Sequence, residues 1–112
     1  MNKYMKQFLK LILPAAWVKS LRYTIKHNHT RRYVKQILAE RKSIYVDIGA
    51  GNKKGRNGWL TLDLKQNCDL YWDLNNGLPF PDETVHKVYS SHLFEHFTFR
   101  EGQQLLDECL RV

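Results

Sequence analysis

Asp47-Ile48-Gly49-Ala50-Gly51 is the part of this 112-residue chain whose residue types and spacing are best suited to holding a ligand. Glycine permits positive φ and lets the backbone approach a bound molecule with no Cβ in the way. Three further stations accompany it: Asp63, the pair Asp73-Leu74, and Ser90-Ser91-His92. A carboxylate such as Asp63, at the end of a second strand, answers a ribose diol, because its two oxygens can each accept one hydroxyl proton. Taken alone, the glycine pair fits an ordinary strand-to-loop turn equally well. The dinucleotide fingerprint G-x-G-x-x-G is excluded, since position 54 is Lys54 and only Asn52 to Gly58 separate Gly51 from Trp59. No helix fits there to offer its N-terminus to a pyrophosphate, so a ligand without phosphates is expected.

These stations gain meaning from the elements that must position them. Ile44-Tyr45-Val46-Asp47-Ile48 is a short β-branched run ending at Gly49, the pattern of a buried parallel strand followed by a tight turn. Trp59 to Leu64, Leu70 to Leu74 and Val85 to Tyr89 are three more such runs. Each station then lies at a strand's carboxyl end, where open parallel sheets bind their ligands. Between the third and fourth runs, Gly77, Pro79 and Pro81 forbid a regular helix, so that crossover is expected to be a loop. Thr98-Phe99-Arg100-Glu101 has the form of a capping box opening a helix, with Leu105, Leu106, Cys109 and Leu110 as its apolar stripe.

The amino-terminal part has a different character. Residues 1–42 hold eleven Lys and Arg against Glu40 alone, a net charge of +10, whereas residues 43–112 carry seven basic and ten acidic side chains, a net −3. Such a step points to an anionic partner for the first segment. Tyr4, Phe8, Leu9 and Ile12, then Trp17, Leu21 and Ile25 beyond Pro14, predict two short amphipathic helices. His27-Asn28-His29 reads as a loop and Thr30 as the N-cap of a third helix bearing Val34, Ile37 and Leu38. The apolar stretch Phe8 to Val18 is too short to span a bilayer, and no small-x-small cleavage site follows it. Cys68 and Cys109 fit no metal or redox spacing, which favours a reducing, cytoplasmic setting.

The stretches Val46 to Asn52, Gly58 to Asp63, Asp73 to Asn75, Leu78 to Asp82 and Ser91 to Phe97, in this order and spacing, resemble the class I S-adenosylmethionine-dependent methyltransferases. The likeness is to the type-11-like bacterial members with a short loop after the first motif, and it covers residues 43–112. The resemblance implies an α/β fold: a partial Rossmann-like sheet of parallel strands in the order 3-2-1-4, preceded by the basic helical segment. It implies S-adenosylmethionine as cofactor, with Asp47, Gly49 and Gly51 at the methionine moiety, Asp63 at the ribose hydroxyls, and Asp73 with Leu74 at the adenine. Ser90 to His92 would border the methyl donor and the acceptor, with His92 as candidate proton acceptor or orienting donor. His86 departs from the acid common there. In this family a Leu-Lys-Pro-Gly-Gly-like turn and three more strands follow the helix after strand 4, so the domain is expected to be truncated.

Other readings stand beside this one. His92-Leu93-Phe94-Glu95-His96 matches H-x-x-E-H, in which two histidines on a helix bind zinc and the glutamate activates water. That pattern requires a helix and a third ligand. A non-catalytic remnant is the second hypothesis, with weak cofactor affinity, poor solubility and a strand-4 edge open to a complementing chain. For the basic segment, residues 3–26 suit an anionic membrane surface, with Lys3, Lys6, Lys10 and Lys19 around Phe8, Leu11, Ile12 and Trp17. The other options are a solvated helical cover over one sheet face and nucleic-acid binding through Arg31, Arg32 and Lys35 with Tyr33 for stacking. Of the two binding readings, lipid is preferred.

Overall fold

The computed structural model describes residues 2–12 and 14–112, with the side chains of residues 9, 10 and 12 left out. The predicted apolar positions Leu9 and Ile12, like Lys10, therefore lie outside the described side chains. Helix α1 covers Lys3–Ile12 and α2 covers Ala15–Glu40. Pro14, extended at φ −54° and ψ 146°, separates them, and its carbonyl accepts the amides of Trp17 and Val18 in the first turn of α2.

Helix α2 corrects the sequence reading at His27-Asn28-His29. No loop forms there and Thr30 is not an N-cap; a single 26-residue helix runs through both. The reason is tertiary. His27, Thr30, Val34 and Ile37 recur at helical spacing and are all buried, and the polar members find partners on the sheet side. The Thr30 hydroxyl donates to the Tyr71 carbonyl at 2.7 Å. His27 Nε2 accepts the Asp73 amide at 3.0 Å, while Nδ1 lies 2.7 Å from the Tyr23 carbonyl. With no glycine or proline between Ala15 and Glu40, nothing stops the helix once these groups are satisfied.

The strands are β1 (Tyr45–Ile48), β2 (Trp59–Asp63), β3 (Leu70–Tyr71) and β4 (Lys87–Ser90). All pairings are parallel and the order is β3-β2-β1-β4, the partial Rossmann-like arrangement expected. Ile48 stands opposite both Leu62 and Ser90, so the carboxyl ends of β1, β2 and β4 are level. Strand β3 is shorter than its apolar run, because Trp72 leaves the ladder and Asp73 caps a 3-10 turn at Leu74–Asn76. The crossover to β4 contains no α-helix, as its glycine and prolines require.

Val46, Ile48, Leu60, Leu62 and Leu70 form one nearly dry face of the sheet. Val34 and Ile37 of α2, Leu78 and Phe80 of the crossover, and Leu105 of the last helix belong to the same core. Each such side chain contributes about 1.5–3 kcal/mol on burial. That last helix, α3 (Phe99–Arg111), opens with the anticipated Thr98–Glu101 capping box. Near its end, Glu108 accepts the Leu78 amide at 2.9 Å and pairs with Arg111, which donates to the Leu78 carbonyl and to Asp82. The crossover is thereby clamped to α3. No helix among the described residues is long and apolar enough to cross a membrane.

Candidate functional site

Strand alternation sends Val46 and Ile48 into the core, so Tyr45 and Asp47 face the other side of the sheet. Beyond Ile48 the chain must turn at once. Gly49 (φ +65°) and Gly51 (φ +81°) supply the left-handed backbone that the turn needs, and the Gly49 amide donates to the Leu62 carbonyl at 2.8 Å. The two glycines differ in surroundings. A Cβ at Gly49 would stand 2.6 Å from Leu93 Cδ1, whereas a Cβ at Gly51 would meet nothing within 4 Å. Gly49 thus lets the segment after β4 pack onto the loop, and Gly51 leaves backbone open to a ligand.

Asp63 connects the ends of β1 and β2. Its Oδ2 accepts the Gly51 amide at 2.9 Å and its Oδ1 the Leu64 amide at 2.7 Å. Each oxygen retains a lone pair, so the carboxylate can hold the loop and still accept two hydroxyl protons. Asp73 is held differently. Oδ1 accepts the Asn75 amide, Oδ2 accepts the Tyr23 hydroxyl at 2.9 Å, and its own amide donates to His27. Helix α2 therefore fixes the site's third station.

Asp47 stands opposite Thr61, two residues before Asp63, so the two carboxylates share the sheet face that Val46 and Ile48 do not occupy. Asp47 lines an open cavity of about 520 Å³ with Lys53, Lys54, Arg56, Trp59 and Thr61. Its carboxyl is pushed above the usual carboxylate range by burial, an effect that Lys53 Nζ, 3.9 Å away, partly offsets. Leu74 lines a different and smaller cavity of about 120 Å³, against α3. The glycine loop, Asp63 and Ser90 thus share the level end of the sheet, Asp73 and Leu74 lie just past β3, and Asp47 and Asp63 both face away from Val46, Ile48, Leu60 and Leu62.

His92 has φ +53° and an exposed ring, with Nδ1 3.5 Å from Glu95; His96 Nε2 lies 3.9 Å from the same carboxylate. Phe94–His96 is a 3-10 turn, not the α-helix that H-x-x-E-H requires. Among the described residues no group of three or more His, Cys, Asp or Glu is arranged to hold a metal ion. Tyr33, offered for base stacking, packs partly buried against the core, and the Arg31 guanidinium lies 5.1 Å from the Trp72 ring.

Four supporting residues escaped the sequence reading. Leu93 packs on Gly49, Tyr23 and His27 hold Asp73, and Asp69 ties down the loop after Gly51. Asp69 Oδ2 accepts the amides of Gly55 and Thr61 at 2.9 and 3.0 Å, while the Thr61 hydroxyl donates to the Lys53 carbonyl at 2.7 Å. His27 had a visible signal, since His27, Thr30, Val34 and Ile37 already follow helical periodicity. Asp69 had none. No protein-family model matches the chain, and no curated protein or solved structure matches it.

Proposed function

We propose that the chain is a class I methyltransferase domain that binds S-adenosylmethionine at the carboxyl end of its sheet, with the methyl acceptor unassigned. The observation that carries this is the Gly51–Asp63 hydrogen bond at the level ends of β1 and β2. It joins open glycine backbone to a carboxylate with free lone pairs, the pairing that a ribose next to a zwitterionic amino-acid moiety requires. The residues fit the cofactor: the side of Gly51 where a Cβ would stand is open, and Asp63 and Asp73 are preset by their hydrogen bonds. Bound there, S-adenosylmethionine supplies an activated methyl group on its sulfonium.

This chain's own contribution is position. Gly49 and Gly51 shape the loop, Asp63 takes the ribose hydroxyls, Asp73 and Leu74 flank the adenine, and Ser90 to His92 border the acceptor, with His92 the candidate to orient it or take its proton. Free Cys68 and Cys109 fit a reducing cytoplasmic compartment. A second reading, cofactor binding without transfer until another chain completes the sheet, draws on β4, which pairs with β1 alone among the described strands and exposes Tyr89.

Calorimetric titration with S-adenosylhomocysteine tests the proposal. Saturable one-to-one binding is expected, weakened at least about tenfold by Asp63→Ala, the loss of roughly 1.4 kcal/mol. Affinity indifferent to Asp63 would remove the assignment. Under the second reading the isolated chain binds only weakly, and both affinity and methyl transfer rise when a complementing chain is added.

A further inference from the structure

We infer that α1 and the first half of α2 form a docking surface for an anionic lipid bilayer. Two observations meet there. First, α1 divides by helical position into a basic side holding Lys3, Lys6 and Gln7 and an apolar side holding Tyr4, Met5, Phe8 and Leu11, about 3.6 residues per turn apart. All four apolar side chains are exposed, Tyr4 at 80% and Leu11 at 85%, and on α2 Trp17 (64%) and Ile25 (42%) are exposed as well. A helix that packed for water alone would turn this side toward its neighbour.

Second, what α1 does bring toward α2 is charge. Lys6 meets Arg22 and Lys26 around a cavity of about 390 Å³ that Ile25 and Gln66 also line. Arg22 and Lys26 are four residues apart on one helix, a like-charge spacing that disfavours the helix, and Lys6 adds a third cation from outside it. No acid lines the cavity, none of the three is in an ion pair among the described residues, and the sequence has no acid before Glu40. Lys26 is fixed in place by the Tyr71 ring, 4.7 Å from its Nζ. Three converging cations without a counter-ion suit a lipid phosphate, and Ile25 on the same cavity, together with the exposed apolar side of α1, suits the acyl boundary below it. A free phosphate would satisfy the cations and leave the apolar side in water. A nucleic acid would do the same. A bilayer satisfies both at once.

Co-sedimentation of the full chain with phosphatidylcholine vesicles, with and without about 30% phosphatidylglycerol, is the test. Pelleting is expected with the anionic vesicles only, with a blue shift of Trp17 emission that Trp17→Phe abolishes. One cation near an anionic leaflet contributes roughly fivefold in affinity, so neutralising three in Lys6→Gln/Arg22→Gln/Lys26→Gln weakens binding by about 100-fold. Leu11→Ser, which leaves the charge intact, weakens it as well, and an unchanged circular dichroism spectrum shows that neither variant has unfolded. Equal pelleting with neutral vesicles, or full binding by the triple variant, would overturn the inference. So would a lipid-free dimer that Leu11→Ser dissociates, or tight binding to an oligonucleotide in place of vesicles. None of these outcomes bears on the cofactor site.

Discussion

Gly49→Ala isolates the packing of the glycine loop on the segment after β4. At φ +65° an alanine adopts the left-handed region at a cost of about 1–2 kcal/mol. Its Cβ would also stand 2.6 Å from Leu93 Cδ1, about 1 Å inside the separation at which two carbons attract. Leu93 can yield by leaving its rotamer, which costs about 0.5–1.5 kcal/mol, so the substitution should destabilise by roughly 2–3 kcal/mol in total. Gly51→Ala is the internal control. Its φ of +81° brings the same backbone cost, but its Cβ meets nothing within 4 Å, so about 1–2 kcal/mol is expected. Urea unfolding of both variants, and of Gly49→Ala in a Leu93→Ala background, closes the cycle. The Leu93→Ala background should return the cost of Gly49→Ala to that of Gly51→Ala, a coupling of about 1 kcal/mol. Equal costs at the two glycines in the native background, or no coupling to Leu93, would refute the packing argument.

Other perturbations address the rest of the structure. Burial raises the Asp47 pKa, so folding opposes its ionisation and stability falls as pH rises from below its ordinary 3.8 through the raised folded value. Asp47→Asn should therefore raise the urea midpoint at pH 7 and leave it unchanged at about pH 3, as paired unfolding curves would reveal. Glu108 has the opposite sign: its hydrogen bond to Arg111 lowers its pKa, giving stability that is present above the ordinary 4.5 and lost as pH falls through the folded value. Glu108→Gln should cost about 1–2 kcal/mol at neutral pH, less than a buried pair because Arg111 is one-third exposed, and almost nothing in acid. Thr98→Ala should remove about 1 kcal/mol by opening the capping box of α3, seen as a lower thermal midpoint.

The sheet and the basic helix part company in how far sequence alone reveals them. Apolar runs ending in glycine or aspartate announced β1 and β2 because burial on both strand neighbours selects β-branched and aliphatic residues, and the result is local. The capping box was legible for the same reason, since Thr98 and Glu101 satisfy each other within one turn. Helix α2 was hidden because His27, Asn28, His29 and Thr30 are poor helix formers in isolation. What stabilises them there, the Tyr71 carbonyl and the Asp73 amide, lies more than forty residues away in sequence. The site shows the same division. Gly49, Gly51, Asp63 and Asp73 could be read from strand ends, but their supports could not, because Leu93, Tyr23 and Asp69 reach them only through the fold. Asp47 enters the site by family resemblance, and strand alternation sets its side chain on the face of Thr61 and Asp63, beside the cavity that Lys53 also lines.

Amide chemical-shift mapping of the ¹⁵N-labelled chain during titration with S-adenosylhomocysteine tests the central claim most directly. The proposed site predicts saturable shifts concentrated at Gly49 to Gly51, Asp63 and Leu64, Asp73 to Asn75, and Ser90 to Leu93. Saturable shifts centred elsewhere, or none at millimolar ligand with the spectrum of a folded chain, would contradict it.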